Sequence, residues 1–388
     1  NRMIPERRPD LIVMAKSQAD VVSTLRFSRE QKRQVAVRGG GHNWCASALR
    51  STGVLLDLSQ MRSLSIDAES GTAIIEPAVR GMELIDAAAE HDLMFPVAHC
   101  PTVTLSGLLL NGGNGLNYNR LGNAASNILS IDLVLADGRE LTVSKEKHAN
   151  LFWAARGAGP GFFAVATRYH LKLYPLPKAV TMSAYVFPGA ATATASDLVE
   201  TLSAKMSPDV CLMMSIGAPP AELVGSNDTI AVVSAIAYAD TAADAKAILK
   251  PLNADPKVGE AISKVVNAPT GLQSFLGALG ATLPGGHRAL IDNVWSNVPL
   301  GKMIADSPAH YANAPSSKSH ILAICFHLPS NSDETSYSWL GRYLVYNNTV
   351  WTDEADDEAN RAWHSTATSL LDLHKIGRYA GETDPVSY

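Results

Sequence analysis

Arg38-Gly-Gly-Gly-His-Asn43 directly follows the β-rich run Val35-Ala-Val37. Three consecutive glycines at the end of a strand let backbone amides approach a phosphate with no side chain in the way, so Gly39, Gly40 and Gly41 point to a phosphate-bearing ligand. Upstream, Ser17-Gln-Ala-Asp20 is a capping-box pattern opening a helix with Val21, Val22 and Leu25 on one face. Downstream, 54–56 and 73–75 read as buried strands and 81–91 as a second helix, while 128–135 turns at Asp137-Gly138 into 141–143 as a hairpin. This alternation over residues 1–175 predicts an α+β domain.

A second Gly-rich cluster comprises Cys100-Pro-Thr-Val103, Gly107 and Asn111-Gly-Gly-Asn-Gly115. Two such clusters between β-like segments predict backbone surrounding an extended ligand from two sides. Asp57, at the end of a strand after Gly39, stands where the ribose-binding acid of a nicotinamide site belongs, but the spacing G-x-G-x-x-G is not met. Gly157-Ala-Gly-Pro-Gly161 fails as well, since Pro160 and the β-like 162–169 follow in place of a helix.

The chain has 388 residues, 46% hydrophobic and 18% charged, enough for two folded domains. From about Pro175, longer segments such as 230–238 and 242–249 predict an antiparallel sheet backed by helices, taken as a substrate domain over 176–345, with 346–388 as a return segment and 351–373 helical. The 32 basic and 37 acidic residues are scattered, which argues against nucleic acid as a partner. The longest nearly uncharged apolar run, 229–239, is well short of the roughly 20 residues that cross a bilayer, so no membrane span is expected. Cys45, Cys100, Cys211 and Cys325 form no C-x-x-C pair and predict no disulfide scaffold. His99 beside Cys100 lacks the further ligands a metal site needs, so no metal is expected. The start at Asn1 reads as a trimmed N-terminus, and localisation stays open with the cytoplasm favoured.

The Arg-Gly-Gly-Gly-His after a strand, the Cys-Pro-Thr-Val with Gly-Gly-x-Gly, Ile131-Asp-Leu-Val-Leu-Ala-Asp-Gly138 and Leu151-Phe-Trp-Ala-Ala-Arg-Gly157 together resemble the berberine-bridge-enzyme-like branch of the vanillyl-alcohol-oxidase flavoproteins, in order and spacing as well as identity. The resemblance spans essentially the whole chain and implies a two-domain PCMH-type FAD-binding fold. It implies bicovalent FAD, with His42 on the flavin 8α-methyl group and Cys100 on flavin C6. Arg38, Gly39, Gly40, Gly41, Asn43, Thr102, Val103, Gly107, Gly112, Gly113, Asn114, Gly115, Asn117, Gly157 and Val165 are the further cofactor-binding candidates. Cys45 lacks the following Pro-Thr-Val and reads as a small buried residue.

The chain departs from the family pattern in three places. Gly161 and Phe163 stand where the family usually has an Asn and a Gly, and Leu108 lies near the position of a His found in plant relatives. At the C-terminal end the family's Tyr-x-Asn and aromatic become Tyr379-Ala-Gly-Glu382, and a homologue would continue past Tyr388. Beside an apolar flavin face the Glu382 carboxyl would have a raised pKa suited to a general base; as a loop acid it would be solvated. Tyr118 and Tyr379 are the other catalytic candidates, and His287 and Tyr346 further possible site residues.

The family's reaction implies hydride transfer from a carbon bearing a hydroxyl or amine, then reoxidation by O2 to H2O2, with Val103 at the position that admits oxygen. Expected partners are a small-molecule substrate and O2, in a monomer or homodimer. Two alternatives remain: a low-turnover flavin- or ligand-binding protein, supported by the loss of the aromatic at Glu382, and a nicotinamide-dependent reductase, supported by Gly39–Gly41 with Asp57.

Overall fold

The computed structural model describes residues 1–3, 5–115, 117–219, 229–282, 285–326, 334–338 and 341–383. The Ser17 hydroxyl accepts from the Asp20 amide and starts the helix Gln18–Glu30, whose Val21, Val22 and Leu25 are buried as their spacing requires. This helix packs on a parallel three-stranded sheet in the order Leu11–Met14, Val54–Asp57, Val35–Arg38. Val35–Arg38 is therefore an outer strand that ends in the glycine run.

A five-stranded antiparallel sheet follows in the order Leu64–Asp67, Thr72–Ile75, Val165–Lys172, Ile128–Val134, Glu140–Ser144. The expected hairpin pairs Ile128–Val134 with Glu140–Ser144, and Gly138 takes the positive φ of 81° that its turn demands. Helix Gly81–Ala89 buries Leu84 and Ile85 within the core between these elements.

The second half builds a seven-stranded antiparallel sheet in the order Ser263–Thr270, Ala179–Pro188, Ile230–Ala239, Val210–Gly217, His320–Cys325, Tyr343–Trp351, Arg288–Ser296. Its strands alternate between two cores. Val210, Leu212 and Met214 face one way with Ala235, Ala237 and Val345, against the helices Thr192–Ser203, Ala242–Asn253 and Asp357–Asp372. Cys211, Ile236, Ile324, Leu344 and Tyr346 face the other way and join the core of the first half. The two-residue period of a strand thus welds the halves together through one face of the sheet. The result is the α+β architecture expected from the sequence.

Two expectations change. Residues 346–351, assigned to the return segment, complete the strand Tyr343–Trp351 inside this sheet. The helical stretch begins at Asp357, not at Trp351, because Trp351 is the last residue of that strand and 354–356 form a single 3-10 turn. Among the described residues no helix is long and apolar enough to cross a membrane.

Candidate functional site

The edge strand Val35–Arg38, the glycine turn after it, and the strand Val165–Lys172 enclose a cavity of about 590 Å³, within the range of ligand pockets. Its third wall is the segment from Val103 to Asn111, and Tyr379, Gly381 and Glu382 close one end. The two Gly-rich clusters meet here. A Cβ on Gly39 would lie 2.3 Å from Ser106 Oγ and one on Gly40 2.4 Å from Thr104 Cγ2, so only glycine allows this approach. The Gly40 amide donates to Thr104 Oγ1 at 2.9 Å. Ser106 Oγ and Asn111 Oδ1 are buried, belong to residues of the cavity wall, and have no protein partner. Orphan polar atoms beside a glycine-lined cavity are what a polar, elongated ligand such as FAD would satisfy.

At the rim, His42 Nε2 lies 3.1 Å from Thr102 Oγ1 and 3.5 Å from Cys100 Sγ, and Cys100 Sγ lies 3.3 Å from Thr102 Oγ1. Burial alone would push the Cys100 thiol up, but hydrogen bonds from His42 and Thr102 outweigh it and bring the thiol down to about 7. Hydrogen bonding to Cys100 in turn lifts His42 above its usual range against the effect of burial. Neighbouring His99 is pushed down to about 4 by burial and is held neutral.

At the closed end, burial raises the Glu382 carboxyl above the ordinary carboxylate range, opposed by a hydrogen bond from the Tyr346 hydroxyl and by the charge of His42. Tyr337, Tyr346 and Tyr379 all feel the Glu382 charge and are themselves driven up chiefly by burial.

Residues 9–144 match the model of a family described as FAD binding domain. Over 99% of the chain and 85% of the relative, the sequence is 27% identical to the FAD-linked oxidoreductase janO of Penicillium janthinellum. The structure superposes on berberine bridge enzyme from Eschscholzia californica with a TM-score of 0.81 at 21% identity, covering 95% of this chain and 78% of that one.

This chain is an FAD-linked oxidoreductase, with an FAD binding domain over residues 9–144 and the fold of berberine bridge enzyme.

The fold is shared with 6-hydroxy-D-nicotine oxidase of Arthrobacter nicotinovorans, with a TM-score of 0.82 at 24% identity over 95% of this chain and 81% of that one. FAD is thus the cofactor of this FAD-linked oxidoreductase, and the cavity between its first two sheets fits it. The cavity wall includes Arg38, Gly39, Gly40, Gly41, His42, Asn43, Val103, Gly107, Val165, Tyr379 and Glu382. Thr102 and Cys100 join them through His42.

Other candidates lie elsewhere. Gly112, Gly113 and Gly115 are buried against protein, where a Cβ would strike the Tyr337 ring, Leu108 and the Pro96 carbonyl respectively. Asn114 accepts from the Tyr337 hydroxyl at 2.8 Å, and Asn117 is a buried residue in the left-handed region before a short helix. Gly157, at φ 153°, lets Tyr337 N pass 2.1 Å and Ser336 C 2.6 Å from where a Cβ would stand. Gly112, Gly113 and Gly115 therefore serve close packing behind the cavity wall, while Gly107, Ser106 and Asn111 line it. Tyr118 is also apart: it is 1% exposed, stacks on Phe326, and donates its hydroxyl to the Cys325 carbonyl at 2.8 Å. His287 is outside the cavity wall, with its carbonyl accepting from the Arg2 amide. Asp57 is committed as well, one oxygen to Arg38 and the other to the Ser59 amide, which removes the ribose-binding acid on which the nicotinamide reading depended.

Proposed function

We propose that this oxidoreductase holds FAD through two covalent links, at His42 and Cys100, and works as an oxidase on a small substrate carrying a hydroxyl or amine. The observation that carries this reading is the contact between His42 and Cys100 at the cavity rim, with the thiol poised near neutral pH. A thiolate and an imidazole side by side can bond to two positions of one ring. When bound, the flavin would supply the redox chemistry, taking one hydride with its two electrons from the substrate carbon and passing those electrons to O2 to give H2O2.

The residues of the chain supply the rest. Glu382, desolvated at the closed end, accepts the proton from the substrate hydroxyl or amine, and Tyr346 holds its carboxyl. Tyr379 forms part of the same wall, and its main chain fixes the turn that bears Glu382. Val103, a small residue in the wall, leaves room for O2. In this arrangement residues 1–175 carry the cofactor and 176–345 shape the substrate end, with the 376–383 segment returning to close it. Tyr118 is left without a catalytic part because its hydroxyl is used within the core.

Purified protein tests this directly. A yellow protein that bleaches under nitrogen with a primary or secondary alcohol or amine from a substrate panel, and recovers its colour with stoichiometric H2O2 on admitting air, is expected. Bleaching that persists in air until an artificial acceptor is added would replace the oxidase with a dehydrogenase.

A further inference from the structure

Asn293 sits on the strand Arg288–Ser296, directly opposite Tyr346 on the strand Tyr343–Trp351. Cross-strand partners share a face. Ile291 and Trp295, two residues to either side of Asn293, lie with Tyr346 in the core beneath the cavity, so an apolar side chain would be expected between them. Asn293 is instead 0% exposed. Burying an amide is unfavourable unless its hydrogen bonds are made, and here they are made to a single turn. Asn293 Oδ1 accepts from the Tyr379 amide at 2.6 Å, and Nδ2 donates to the Tyr379 carbonyl at 3.0 Å and the Glu382 carbonyl at 3.2 Å.

The same turn is secured at its flanks. Arg378 Nη1 donates to the Asn293 carbonyl at 2.8 Å, and the Thr383 hydroxyl donates to Asp292 Oδ1. Trp295 pairs with Gly377 as a continuation of the sheet edge. Asn43 Nδ2 donates to the Gly381 carbonyl at 3.2 Å, tying the turn to the loop that bears His42. Tyr346, opposite Asn293 on the neighbouring strand, favours the charged form of the Glu382 carboxyl.

We propose that Asn293 and Tyr346 are a positioning pair for Glu382: Asn293 fixes the main chain of the 379–382 turn, and Tyr346 orients the carboxyl at the closed end of the cavity. The proposal rests on the base reading of Glu382. A rigid element under the turn gives a base on an otherwise irregular segment the placement that proton transfer needs, where an error of about 1 Å can cost on the order of a hundredfold in rate.

The test is a titration of the Glu382 carboxyl in the holoenzyme by carbon-13 NMR, with glutamate side-chain carboxyls labelled and the resonance assigned by its loss in Glu382→Gln. The titratable groups facing it are Tyr337, Tyr346, Tyr379 and His42. The wild type should titrate above the ordinary carboxylate range. Tyr346→Phe should move the midpoint further up, because the lost bond favoured the charged form. Asn293→Ala should move it down toward the ordinary range as the turn loosens and water reaches the carboxyl. Should Asn293→Ala not fold, Thr383→Val, which frees the far flank of the turn, takes its place with the same expected direction. Unchanged midpoints in Asn293→Ala (or Thr383→Val) and Tyr346→Phe, whatever their Tm, would overturn the positioning pair while leaving Glu382 as a base. An ordinary midpoint in the wild type would instead remove the base reading, and the pair with it.

Discussion

The Cys100 thiol offers a prediction whose size follows from the site. Bonded to His42 and Thr102, it titrates near 7 in place of its ordinary 9.0. At pH 7 about half of it is thiolate, against roughly one part in a hundred for an ordinary thiol, a gain of about 50-fold in the reactive form. Nucleophilicity falls with pKa at a slope of about 0.4–0.5, which over this shift takes back roughly 6- to 10-fold. The net expectation is a reaction about 5- to 8-fold faster than an unperturbed thiol at pH 7. The assay is thiol–disulfide exchange with an aromatic disulfide, followed by absorbance from pH 5.5 to 9.5, on flavin-free protein in a Cys45→Ser background. Cys211 is pushed up to about 12 by burial, and Cys325 is fully enclosed and also pushed up, so both should stay silent. His42→Ala should move the midpoint up and slow the reaction at pH 7, while flavin-loaded protein should not react at all. A midpoint near 9 that His42→Ala leaves in place would refute the argument that the His42 contact activates this sulfur.

Three further substitutions are expected to have defined effects. Glu382→Gln should slow the reductive half-reaction by about 10²- to 10⁴-fold with reoxidation unchanged, measured by stopped flow once a bleaching substrate is in hand. In the wild type that rate should fall as pH drops through the raised Glu382 pKa, since the protonated acid cannot accept a proton, and the variant should lose this limb. Because the raised pKa means that ionising Glu382 opposes folding, Glu382→Gln should also raise Tm at neutral pH, by an amount that disappears in acid. Gly39→Ala should purify with little flavin, judged by the absorbance ratio at 450 and 280 nm, because its methyl would occupy the space of Ser106 Oγ on the cavity wall. Gly157→Ala should destabilise the fold, and so lower Tm, by more than the roughly 0.4–1 kcal/mol that such a replacement gains where the backbone tolerates it, since the added Cβ would lie 2.1 Å from the Tyr337 amide nitrogen.

Local features were legible in the sequence. The Ser17 cap, the strand before Gly39 and the hairpin at Gly138 are each set by residues a few positions apart, and each stands where its pattern put it. The glycine run was a weak signal alone, since such a run after a strand is often a plain tight turn, and it became informative only with His42 beside it and the second cluster. The second cluster misled in detail, because a glycine needed for close packing on Tyr337 or Pro96 has the same letter as one that faces a phosphate. Ser106, just before Gly107, carried a weak signal as a small polar residue in an apolar helix. The strand order of the large sheet was not legible, since it joins residues far apart, such as 288–296 with 343–351. For the same reason Asn293 gave no sign of its role. Its partners are 86 and 89 residues away, and only the fold brings the 379–382 turn onto the strand that holds Asn293. The Glu382 environment followed the same logic: the residue was a candidate from its position, but its burial among tyrosines depends on three separate segments.

The most direct test of the account is to precipitate the holoenzyme in acid, digest the pellet and measure peptide masses for the wild type, His42→Ala, Cys100→Ala and the double variant. Flavin mass is predicted on a cross-linked pair of peptides containing His42 and Cys100 in the wild type, on one peptide in each single variant, and on none in the double variant, whose pellet should be colourless. Covalent flavin retained by the double variant, or a colourless wild-type pellet, would contradict it.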